Sequence, residues 1–149
     1  MNLAVEINIS GDELAEIYDA RGLAYNYMSF YEESVSDLTK AVELYTSKNK
    51  RIDIWRFLSW IYSIDMDDID TGIHYARKLV EEIAPMDKSS LIASAYLNAA
   101  VIFIYSINPE EGISLLQKGI AIAEEMGYRD ILGRQYSALR WVYTASSSD

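Results

Sequence analysis

The chain lacks cysteine altogether and has one histidine and two prolines in 149 residues. Without thiols there is no disulfide framework, thiol nucleophile, zinc-thiolate or iron–sulfur site, and a single imidazole cannot build a multi-histidine metal site. No glycine-rich phosphate loop is present. No serine or paired carboxylate stands at a spacing that assembles a triad around His74, which reads as an exposed helix residue. Positive charge is also scarce. Thirteen Lys and Arg face 23 Asp and Glu, a net charge of −10, so nucleic-acid phosphates and anionic membrane surfaces are repelled. These absences lead to the expectation of a non-enzyme with no cofactor and no metal, and with neither nucleic acid nor membrane as partner.

Long hydrophobic runs are missing too. The most apolar stretch, Leu91 to Tyr105, has 15 residues, includes Ser94 and Asn98, and falls short of the roughly 20 that cross a bilayer. It reads as a buried helix, central in the fold. The start, Met-Asn-Leu-Ala-Val-Glu, has no basic segment followed by an apolar one, so the expected location is cytoplasmic.

What is abundant is apolar and aromatic. Half of the residues are hydrophobic, and 12 Tyr, 3 Trp and 3 Phe supply a core of ordinary single-domain size. Apolar residues recur at steps of three and four, as in Leu14, Tyr18, Tyr25 and in Tyr31, Val35, Leu38, Val42, Tyr45, which is the helical period. Ser10 with Glu13, and Ser29 with Glu32, fit the capping box. Asn108-Pro109-Glu110-Glu111 marks a helix start, and Ala84-Pro85 and Gly127 mark stops. The pattern predicts an all-α domain of seven helices near Ser10–Met28, Tyr31–Ser47, Arg51–Ile64, Asp68–Ile83, Lys88–Ser106, Pro109–Met126 and Asp130–Ala145. Residues 1–9 alternate like a strand at Leu3, Val5, Ile7 and Ile9 and read as a loosely packed tail, and residues 146–149 as a disordered end.

The alternate helices repeat. Tyr18, Trp55, Tyr96 and Tyr136 lie at intervals of 37, 41 and 40 residues. Four residues after each comes Gly22, Ser59, Ala100 or Arg140, and seven after comes Tyr25, Tyr62, Phe103 or Tyr143. The helices between repeat as well: Ser34, Leu38 and Ala41 correspond to Gly72, Ala76 and Leu79 and to Gly112, Leu116 and Gly119. Small residues at these places let a helix approach its hairpin partner closely. In this pattern the chain resembles the tetratricopeptide repeat (TPR) family, best at Tyr18-Gly22-Tyr25-Leu38-Ala41 and Trp55-Leu58-Ser59-Tyr62, over about residues 12–145. Its period exceeds the roughly 34 residues usual for that family. The resemblance implies a right-handed superhelical array of antiparallel hairpins, with units of about 10–48, 49–85 and 86–127 and a capping helix at 130–145.

The resemblance further implies a concave groove, lined by the first helix of each hairpin, that binds a peptide or helix of another protein. The positions five after each repeat aromatic, Leu23, Trp60, Val101 and Trp141, are all apolar and point there. Asn26, Tyr27, Arg56, Asn98 and Arg134 border them. An apolar strip with a polar edge suits an amphipathic helix or an extended apolar peptide. The competing reading makes Trp60 and Trp141 core. The family's carboxylate-clamping places hold Asp19 and Leu23, which cannot donate to a carboxylate, so the expected partner is apolar or basic. The run Asp65-Met66-Asp67-Asp68-Ile69-Asp70 lacks the glycine and glutamate of a calcium loop and reads as a solvated helix start. Helix 130–145 is apolar on more than one side, through Tyr136, Leu139, Trp141, Val142 and Tyr143, so self-association through it is a further expectation, as is a ligand-sensing role within a larger regulator.

Overall fold

Several helices begin and end on local signals. In the computed structural model, which describes residues 9–106 and 108–147, the chain forms α1 (Gly11–Tyr27), α2 (Tyr31–Leu44), α3 (Lys48–Trp60) with a π-helical turn at Ile61–Asp65, α4 (Ile69–Ile83), α5 (Ser90–Tyr105), α6 (Pro109–Met126) and α7 (Arg129–Ser146). Among the described residues the fold is all-α, with no strand. The strand-like alternation lies outside them, apart from Ile9, which is half-buried against the core. Ser10 opens α1 with a complete capping box, its hydroxyl accepting from the Glu13 amide and its own amide donating to the Glu13 carboxylate. Asn108 caps α6 ahead of Pro109, and Gly127 closes that helix at φ 75°, the left-handed conformation that glycine adopts without strain.

Three local expectations are corrected. Ser29 does not cap α2. The link from α1 to α2 is so short that Ser29 takes a left-handed φ of 63° to reverse the chain, and its amide donates back to Asn26 O (2.9 Å). α2 therefore starts at Tyr31 with no side-chain cap. The helix expected to run regularly to Ile64 widens into the π turn, where the Met66 amide donates to Ile61 O at 2.9 Å. At the far end, Ser146 is helical and not part of a disordered tail: its hydroxyl donates to Val142 O and that of Ser147 to Tyr143 O, both at 2.8 Å. Positions 148–149 lie outside the described residues.

Consecutive helices pack as hairpins, α1 with α2, α3 with α4 and α5 with α6. The apolar α5 touches α3, α4, α6 and α7 and is the centre of the molecule, as its composition predicts. Small residues set the spacing. Gly22 of α1 lies so close to α2 that a Cβ there would sit 2.9 Å from Leu38 Cγ, and Ser34 Oγ donates to Gly22 O at 2.7 Å. Gly72 of α4 faces Ser63 of the π turn even more tightly, at 1.7 Å from a notional Cβ to the hydroxyl. Between α3 and α4, Trp55 stacks on Tyr75 and Tyr75 on Tyr62, at 5.6 and 5.4 Å between ring centroids. Arg21 of α1 is held by Asp37 of α2 through two hydrogen bonds of 2.6 and 2.9 Å and lies over the rings of Tyr18 and Tyr25. Among the described residues no helix is long and apolar enough to cross a membrane.

Candidate functional site

One face of α3 is left open by this packing. Its residues at steps of three and four, Asp53, Arg56, Phe57 and Trp60, share a side of the helix, whereas Trp55 and Leu58 are buried on the other. Trp60 is 38% exposed and Phe57 is also exposed beside it. Asn26 from the end of α1 and Asn98 from α5 complete the walls of a cleft of about 470 Å³, with Ile61 and Asp65 of the π turn.

The cleft is built around Arg56. Its backbone carbonyl accepts from Asn98 Nδ2 at 3.2 Å, which ties α5 to α3 across the cleft. Its guanidinium pairs with Asp53 through Nη1 at 3.1 Å, while the buried Nε has no partner. The Asn26 side chain makes no hydrogen bond to another described residue and keeps its donors and acceptor free. Two carboxylates, Asp53 and Asp65, stand against one guanidinium, so the local charge is negative. An apolar floor, the free Asn26 amide and excess acid line the cleft, and no nucleophile–base pair is assembled on it.

The open face continues beyond the cleft. Val101 and Tyr105 follow Asn98 at steps of three and four along α5, and the exposed Tyr105 ring packs on exposed Trp141 of α7, 4.8 Å between centroids and tilted by 32°. Arg134, two turns earlier on α7, is exposed and forms no ion pair among the described residues.

The structure thus brings Asn26, Arg56, Trp60 and Asn98 together in one cleft. Leu23 is half-buried against the core, Val101 is half-buried on α5, Tyr27 is exposed, and Arg134 and Trp141 lie on α7; none of these five lines the cleft. Both Trp60 and Trp141 are surface residues, so the competing reading of them as core is set aside. Sequence reasoning missed Phe57, Ile61 and Asp65. Phe57 was legible as the residue three before Trp60, at helical spacing. Asp65 was not, because the π turn places one extra residue in the turn after Trp60 and so brings Asp65 where a regular helix carries Ile64.

Other candidates resolve into structural roles. Asp19 accepts the Tyr45 hydroxyl at 2.8 Å, joining α1 to the end of α2. Burial, and then this bond to a carboxylate, push the Tyr45 hydroxyl well above the ordinary tyrosine range. Within the acidic run, Asp68 caps α4 by accepting from the Thr71 amide at 3.2 Å. His74 is exposed, its ring edge-on to Tyr75. No family model matches the chain, and no curated protein and no solved structure matches it either.

Proposed function

We propose that this chain is a non-catalytic binding module of the tetratricopeptide-repeat type, in which the three hairpins and α7 stack as a right-handed superhelical array. Its open face, formed by α1, α3, α5 and α7, takes a peptide or amphipathic helix of another protein. The observation that carries the reading is the exposed pair Phe57 and Trp60 over a cleft flanked by the amides of Asn26 and Asn98. Two large rings side by side in water gain about 25 cal/mol for each Å² of apolar surface that a ligand covers. Side-chain amides at the rim pair with a peptide main chain, one donor and one acceptor at a time. The excess of Asp53 and Asp65 over Arg56 favours an apolar or basic ligand and disfavours an acidic one.

The test is selection from a displayed peptide library on the whole chain. Selected peptides should be apolar with Lys or Arg, and Trp60→Ala should weaken them by at least about ten-fold, the size expected of a central aromatic anchor. Equal capture by wild type and variant contradicts the cleft as the binding site.

A further inference from the structure

Phe57, Trp60 and Asp65 follow one another along a single edge of the cleft. Trp60 comes one turn of α3 after Phe57, and Asp65 comes one wider turn of the π segment after Trp60. Both rings are exposed, and among the described residues no other ring stacks on them and no cation lies over them. Elsewhere the chain places its own cations on its rings. Lys78 lies 4.7 Å from the ring centroid of Trp55 and Arg77 lies 4.9 Å from that of Phe103.

Asp65 is equally free. Its carboxylate is exposed and makes no hydrogen bond or ion pair among the described residues. It stands where α3 and its π turn end, at the negative pole of the helix, and neither segment has a basic residue in its last turn. Such a place attracts a cation. Arg56 does not fill it, because its guanidinium is paired with Asp53 one turn earlier, whereas Asp65 lies on the order of 12 Å further along the axis.

The same three parts occur in the first hairpin with the cation present. There Arg21 lies 5.6 and 6.0 Å from the ring centroids of Tyr18 and Tyr25, and the Asp37 carboxylate holds it at 2.6 and 2.9 Å. The likeness is one of chemistry and not of repeat position. In the cleft the two rings and the carboxylate are in place, and the guanidinium is left for a ligand to bring.

We infer that Phe57, Trp60 and Asp65 form a subsite for an arginine side chain of the bound peptide, whose guanidinium lies against the rings and pairs with the Asp65 carboxylate. The subsite rests on the reading of the cleft as the peptide site, and it specifies which ligand residue anchors there and which residue of this chain selects it. Arginine fits better than lysine. A planar guanidinium stacks on a ring while presenting a fork of donors to a carboxylate, whereas an ammonium is a strongly hydrated point charge. An acidic ligand residue at this place meets Asp65 and the negative end of the helix, and is rejected.

The probe is N-acetyl-arginine amide, titrated into the whole isotope-labelled chain, with the neutral isostere N-acetyl-citrulline amide as control. NMR follows the indole N–H of Trp60 and the backbone amides of residues 57–65. Saturable shifts centred on these residues are expected from the arginine compound. Its affinity should exceed that of the citrulline compound, and should fall in Asp65→Asn, by about five-fold, the scale of a partly exposed charge pair. Asp65→Glu should retain binding. Asp65→Asn should not lower the unfolding temperature, because an unpartnered carboxylate at a helix C-terminus loses no contact. Equal affinity for arginine and citrulline, indifference to Asp65→Asn, or absence of saturable shifts in the cleft would each overturn the subsite. In the library selection, peptides that need Trp60 but carry no arginine and ignore Asp65 would overturn the subsite and leave the cleft reading standing. Peptides indifferent to Trp60 would overturn both.

Discussion

Gly72 and Gly133 are both helix-interior glycines, and their surroundings give opposite outcomes for the same change. At Gly72 a methyl group would fall 1.7 Å from Ser63 Oγ and 2.9 Å from the Ser63 amide nitrogen, with Ser63 buried in the π turn. A serine hydroxyl can rotate away but backbone cannot, so overpacking of about 1–3 kcal/mol should exceed the gain of about 1 kcal/mol in helix propensity. Gly72→Ala should therefore lower the midpoint of chemical unfolding. At Gly133 a Cβ meets nothing within 4 Å. Gly133→Ala should raise stability by up to about 1 kcal/mol through the reduced freedom of the unfolded chain. The residue scale also shows what single positions reveal in a sequence. That Gly22, Ser59 and Ala100 recur at one place announced close helix approach, and Gly22 against Leu38 realises it. That Arg21 is satisfied by Asp37 was not legible, because its partner lies 16 residues away on another helix.

At the scale of elements, caps were the most readable signals because each is a local exchange of hydrogen bonds. Ser10, Asn108 and Gly127 act where their motifs place them. Ser29 fails because the same residue is needed to reverse the chain, and a motif carries no information on how little chain remains for the turn. The π turn is equally silent in the sequence, yet it decides that Asp65 enters the cleft. Hairpin contacts also carry a pH signature. Tyr45, Tyr62 and Tyr96 all have hydroxyls raised above the ordinary value of 10.0, burial being the first cause in each. A raised value means that the folded chain holds the proton more tightly than the unfolded one. Their contribution is thus fully present below pH 10 and is lost as pH rises beyond it. Unfolding measured from pH 8 to 12 should show a plateau and then a fall that begins near pH 10. Tyr45→Phe should reduce the fall and, by removing the bond to Asp19, lower neutral-pH stability by about 0.5–1.5 kcal/mol.

At the scale of the whole molecule, the cleft beside α3 stays open once the hairpins have packed, and at Arg56 and Trp60 it has an acidic surplus. Four of the nine residues expected at the groove share the cleft, since a repeat register fixes which side of each helix faces the same way. The other five fall short for reasons the register cannot express: Leu23 is drawn into the core, and Trp141 leans on Tyr105. Trp60 is 38% exposed, so most of its ring is packed against its neighbours, and its truncation should lower overall stability by about 1–3 kcal/mol. Thermal unfolding of Trp60→Ala checks this and sets the temperature at which the variant, still folded, reports on binding.

The central claim is that the Phe57–Trp60 cleft is where this chain binds a partner peptide. Its most direct measurement is the affinity of a library-selected peptide for wild type and for Trp60→Ala by isothermal titration calorimetry, with thermal unfolding of both proteins alongside. The account predicts a Kd at least about ten-fold higher for the variant, in keeping with a central aromatic anchor, at a temperature where both proteins are fully folded. Equal affinities for the two proteins would contradict it.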